Sequence, residues 1–340
     1  MERMVDNQNN GNKDNFAGKV PQPADAPIFS AELKRLIDEA EESRLNLMKQ
    51  YEFRGFMAFS LGMLSVLGGA SGFGWYFFYK FEILNAILCQ VIGVIPFYFL
   101  HQFKMLPLQK YKREHKTIFM PKLAEALGGF QYKPRGGIKA KVLLPAKILP
   151  SFEKYSAEDC LSGAHQGTKI IISEAHMSHS KHRGEYVFDG VFVLLELPGN
   201  KFQGHTIVTA DSHASRRWKD KRWQGLNPVP IANQRLAAFF EVFSNAPGEA
   251  ETLAGENVLT QLAELSAEFD NAHVSVAFYE GKYIFMMIPY RVNMFEPSDL
   301  YLPVATAAQA QRHKNEIEKI ISIIDLLGTY EPKSSLSNAT

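Results

Sequence analysis

The chain has 340 residues with 37 Lys or Arg against 36 Asp or Glu, a formal net charge of +1, so overall charge gives no ground for a nucleic-acid binder. Its two cysteines, Cys89 and Cys160, exclude a disulfide framework and fit a reducing compartment. The polar start lacks the basic and then apolar segment of a cleaved signal.

Residues 1–29, Asn-rich and interrupted by Pro21, Pro23 and Pro27, read as a disordered tail that holds too little apolar surface to order itself. Ser30 then stands as the N-cap of an amphipathic helix over 30–54, with Leu33, Leu36, Ile37, Ala40 and Leu47 along one face. Between Arg54 and Lys80 there is no charged residue, and after Lys80, Phe81 and Glu82 the apolar run resumes until Lys104. About 20 apolar helical residues cross a bilayer core, so 55–104 is expected to be a transmembrane hairpin of two helices.

Five basic residues precede the hairpin (Lys34, Arg35, Arg44, Lys49, Arg54) and five follow it (Lys104, Lys110, Lys112, Arg113, Lys116), whereas the connection offers Lys80 alone. The positive-inside rule then puts both termini in the cytoplasm. Gly62, Gly68, Gly69, Gly72 and Gly74 permit a close helix approach, either within the hairpin or across a dimer.

Residues 105–330 are expected to form a cytoplasmic domain and 331–340 a flexible tail. A basic helix over 108–127 starts or kinks near Pro121, after which the period changes. Segments 168–173, 186–197, 205–209, 236–243, 273–279 and 282–289 are rich in Val, Ile, Phe and Thr and read as strands, the last two joined by a turn at Glu280 and Gly281. Val258, Leu259, Leu262, Leu265 and Phe269 keep a helical stripe, and a final helix carries Ile317, Ile320, Ile321, Ile324 and Leu327. The expected fold class is α+β: an N-terminal transmembrane hairpin followed by an antiparallel sheet with flanking helices.

Four blocks follow in order along the chain: Tyr111, Lys112, Lys116, Pro121, Tyr132, Pro134, Gly137 and Ile138; Glu158, Asp159, Gly163, Gly167, Ser173 and Glu174; Phe188, Gly190, Phe192, Phe202 and Gly204; then Phe240, Glu241, Val242, Glu249, Ala250, Phe295, Glu296 and Pro297. Together they resemble a bacterial family of uncharacterised two-span membrane proteins, domain of unknown function 3137. The resemblance implies an inner-membrane anchor and a cytoplasmic domain, and assigns no catalytic residue.

Two constellations are candidates for binding. His176, His179 and His182 recur every third residue and offer imidazole ligands to a metal, although the intervening residues read as an exposed loop. Arg216, Arg217, Trp218, Lys221, Arg222 and Trp223 interleave basic and aromatic groups, the pattern of contact with a membrane surface or of a solvated loop. Asp211, Ser212 and His213 hold triad residue types, but sequence neighbours do not converge as a triad does. Glu158 and Asp159, as neighbours on a strand, would point to opposite faces and are expected at a strand start or a turn.

Phosphate-loop, dinucleotide, HExxH and kinase patterns are missing, so no enzyme, cofactor or nucleic-acid partner is expected. The expected role is a non-catalytic scaffold or assembly factor at the membrane, with lipids and a protein partner, a second copy included. The alternative is a sensor or regulator of a small ligand or lipid.

Overall fold

The computed structural model describes residues 31–126, 129–179, 186–210, 223–291, 295–297 and 299–303. Helix α1, Ala31–Gly74, runs without a break from the amphipathic segment into the first apolar run, ends in a π-helical turn at Trp75–Tyr79, and is followed by α2, Ile83–Glu114. Only 17% and 11% of the residues in the most apolar windows of these helices are buried. Phe56, Phe59, Leu64, Leu84 and Phe99 face outward, which a core helix of a water-soluble protein does not allow. Both helices are long and apolar enough to cross a membrane.

Glycine sets how closely the two helices lie. A Cβ on Gly69 would stand 2.9 Å from the Cα of Gly93, and Ser65 Oγ donates to the Gly93 carbonyl at 2.8 Å. Gly62 and Gly72 likewise face Phe97 and Cys89 of the opposite helix, so these three glycines serve packing within the hairpin. At its base, Arg54 lies over the Phe103 ring and Lys104 over the Tyr51 ring.

Beyond that base the helices continue as a stem. A π-helical turn at His115–Phe119 and a short helix α3, Met120–Ala126, extend α2. The break expected near Pro121 is this π turn: proline has no N–H to return along the ladder, and the helix widens just before it. Leu36, Leu47, Tyr111, Phe119, Met120 and Leu123 are buried where the stem meets the sheet.

The sheet consists of β1 Gln131–Lys133, β2 Lys154–His165, β3 Thr168–Ser178, β4 Tyr186–Glu196, β5 Thr206–Thr209, β6 Asn227–Val229, β7 Glu241–Ser244, β8 Ser275–Tyr279 and β9 Tyr283–Pro289. Its nine strands lie in the order β1-β2-β3-β4-β9-β8-β5-β7-β6, and every pairing is antiparallel. Among the described residues the remaining helices are α4 Ala140–Leu143, α5 Gln234–Ala237, α6 Pro247–Leu253 and α7 Glu256–Glu268. This is the expected α+β class.

Strand alternation separates two cores. Ile170, Ile172, Val191, Val193, Ile284 and Met286 point under the stem and α7, whose Val258, Leu259, Leu262 and Leu265 are all buried as their spacing predicts. Met177, Phe192, Leu194 and Phe285 point the other way and are covered by Ile138, Leu143, Ile148 and Leu226.

Two sequence expectations are corrected. Segment 236–243 is a strand only from Glu241, because Asn233 accepts the N–H groups of Arg235 and Leu236 and starts α5. β1 and β2 are strands where none was expected. The final Ile-rich helix lies outside the described residues.

His205, beside β5, sits with Nε2 3.1 Å from the Ala146 carbonyl oxygen, and burial pushes its pKa down to about 4 from 6.5. A depressed folded-state pKa means that the unfolded chain binds the proton first. The stability due to neutral His205 is therefore complete above pH 6.5 and is lost as pH falls through about 4. His205→Gln is expected to flatten the fall in denaturation midpoint over this window. Parallel curves for the two proteins would refute that assignment.

Candidate functional site

The site begins at a defect in β2. Its pairing with β3 slips between Glu158 and Leu161, and Asp159 adopts a positive φ of 52°. That turn sends the Asp159 carboxylate inward, where it is 0% exposed. Tyr132 of β1 donates its hydroxyl to Asp159 Oδ1, and Lys116 Nζ, from the π turn of the stem, lies 2.7 Å from Oδ2.

Lys116 Nζ is also 2.6 Å from Glu296 Oε1. Burial opposes the lysine charge, but hydrogen bonds to Asp159 and Glu296 outweigh it and hold its pKa above the ordinary value. Burial, then the bond to Asp159, keeps the Tyr132 phenol protonated well beyond its usual range.

Glu296 belongs to a strap, residues 295–297 and 299–303, that lies between stem and sheet. Phe295 N donates to Glu174 Oε1 at 3.3 Å, and its ring packs on Tyr132. Arg44 of α1, 4% exposed, donates to the Leu300 carbonyl at 2.5 Å, and Tyr301 meets Tyr51 edge-on. Stem, sheet and strap thus meet in one polar joint.

Next to it, at the rim of the same sheet face, stand Glu158, Glu174, His176 and Asp189. Glu158 is in register with Glu174, and His176 with Asp189. His176 Nδ1 is 2.6 Å from Asp189 Oδ1, and its Nε2 is 3.8 Å from Glu158 Oε1. Among the described residues, Glu158, Glu174 and His176 are the group whose ligand atoms come close enough to hold a metal ion, within 4.8 Å of one another.

The expected His trio is therefore only partly brought together. His176 faces carboxylates across strands, His179 lies just past the end of β3, and His182 lies outside the described residues. Glu158 and Asp159 sit at a bulge in mid-strand rather than at a strand start or turn, since β2 extends from Lys154 to His165.

Trp223 is also corrected. Its ring is 4% exposed and packs on Phe243, and Nε1 donates to the Lys147 carbonyl at 2.8 Å, so it anchors the second core and is withdrawn from any membrane surface. Arg216, Arg217, Trp218, Lys221 and Arg222, with Asp211, Ser212 and His213, lie outside the described residues.

Lys116, Tyr132, Asp159, Glu174, Phe295 and Glu296, which carried the family resemblance, are now seen to converge. Residues 186–329 match the family model described as protein of unknown function (DUF3137). A search of curated proteins finds no match. The DUF3137 match opens at β4 and takes in Asp189 and the strap, while Lys116, Tyr132, Glu158, Asp159, Glu174 and His176 precede it. Within the DUF3137 segment Glu249 has a structural task, receiving the N–H groups of Gln203 and Gly204 at 2.8 and 2.7 Å.

Proposed function

We propose that this protein works without catalysis, as a regulator anchored in the bacterial inner membrane that recognises a small ligand where its stem meets its sheet. The observation that carries this reading is Lys116. It sits on the helix that leaves the hairpin, yet its charge is held by Asp159 of the sheet and Glu296 of the strap. A ligand that moves β2 or the strap acts directly on the helix leading to the bilayer. Ten flanking basic residues against Lys80 in the connection support cytoplasmic termini.

A scaffolding role at the membrane, with lipid and protein partners, is the second reading. A cleft of about 430 Å³ at the β6 edge, walled by Val229, Ile231, Leu236, Val242 and Leu259, favours it.

Amide exchange in the full chain, held in lipid nanodiscs, tests the coupling. Glu296→Gln keeps the side chain's shape but weakens its hold on Lys116. It is expected to speed exchange both in the stem around 116–123 and at the bulge around 157–161, with β5 and β8 unchanged. Changes confined to the strap would remove the reason for this reading.

A further inference from the structure

We propose that Glu158, Glu174 and His176 bind a divalent first-row transition-metal ion, with Asp189 orienting the imidazole. Residues 174 and 176 are two apart on β3 and so project from one face. Register brings Glu158 opposite Glu174 on one side and Asp189 opposite His176 on the other. Two carboxylates directly opposite on neighbouring strands repel each other. Glu174 is only 3% exposed, so water does little to screen that repulsion.

The imidazole geometry points to a metal ion between these side chains. Nδ1 lies 2.6 Å from Asp189 Oδ1, and Nε2 faces Glu158 at 3.8 Å, beyond hydrogen-bonding distance. A carboxylate behind the histidine and an open nitrogen in front is the arrangement that tunes metal-ligating imidazoles. One nitrogen and carboxylate oxygens, with no thiolate, suit zinc or manganese, while the imidazole argues against magnesium and calcium. Ligand atoms about 2.1 Å from zinc stand about 3.4 Å apart in a tetrahedral site. Rotation of the Glu158 side chain, 49% exposed, can close the present spacing of up to 4.8 Å.

The inference deepens the regulatory reading and rests on it only for its consequence. Glu158 precedes the bulged Asp159, and Glu174 receives the Phe295 N–H, so an ion between these carboxylates would draw the bulge and the strap together around Lys116.

The test uses the full chain in detergent, without a polyhistidine tag and stripped by a chelator. It is titrated with Co2+, followed by its visible ligand-field bands, and with Zn2+, followed by calorimetry. One ion per chain is expected. Glu158→Gln and His176→Gln should each weaken binding at least about 100-fold, and Asp189→Asn about 10- to 100-fold. His182→Ala should leave binding unchanged.

No binding of either ion by the wild type would overturn the proposal. So would binding that survives both Glu158→Gln and His176→Gln but is lost in His182→Ala, since that assigns the metal to the loop histidines. If His176→Gln does not fold, Glu158→Gln at its half-exposed position still decides. The titration does not depend on stem coupling, and the exchange experiment above uses no metal, so each can fail alone.

Discussion

Lys116→Met is expected to lower the stability of the folded chain by about 3 to 5 kcal/mol, the usual consequence of removing one partner from a buried ion pair. Asp159 is fully buried, and among the described residues only Lys116 brings it a positive charge at hydrogen-bonding distance; Tyr132 offers a neutral hydroxyl. Without the lysine a desolvated carboxylate remains and Glu296 loses its tie to the stem.

Lys116→Arg, which keeps the charge, should lose much less. Denaturant unfolding of the full chain in detergent distinguishes the two. A loss below about 1 kcal/mol for the methionine variant, the range of a surface pair, would mean that Asp159 is solvated. The raised lysine pKa sets the pH window: the stabilisation is fully present below the ordinary value of 10.5 and is lost only in more alkaline solution.

Gly190→Ala should be comparably severe for a steric reason. A Cβ at this position would stand 2.2 Å from the Ile288 carbonyl oxygen and 2.7 Å from Tyr290 N, so backbone must move. The strain falls on the β4–β9 pairing, which joins the half of the sheet that carries the stem to the half that carries α7. Overpacking that displaces backbone costs about 1 to 3 kcal/mol and occasionally more, and a 2.2 Å clash with a backbone oxygen belongs at the upper end. Gly248→Ala, where the added Cβ meets nothing within 4 Å, is the control and should change stability by about 0.5 kcal/mol or less. Equal unfolding midpoints for the two variants would show that β4 and β9 tolerate separation.

The hairpin was legible because two uncharged runs leave little else to build, and the β8–β9 turn because Gly281 suits the positive φ it adopts beside Glu280. β2 was not. Its sequence, KYSAEDCLSGAH, lacks the β-branched residues that mark a strand, and its place is fixed by pairing with β3 along its length.

The joint was hidden for a related reason. Its members are separated by up to 256 positions, from Arg44 to Leu300, and Asp159 turns inward only through a register slip that no local pattern announces. For the histidines, spacing by three suggested a shared loop site. The period of two along β3 instead groups His176 with Glu174.

The π turn at His115–Phe119 means that the pose of the domain is written in chain length as much as in residue identity. Such a turn stores one residue more than the α-helical pitch allows. Were that residue lost, everything after it would be rotated by about 100° about the helix axis. Met120 and Leu123 would swing off the sheet while the membrane-facing part of α2 stayed where it was. The anchor and the domain are thus geared together with a fixed phase, and a small axial rotation of α2 would reach the sheet as a turn of Lys116 against Asp159.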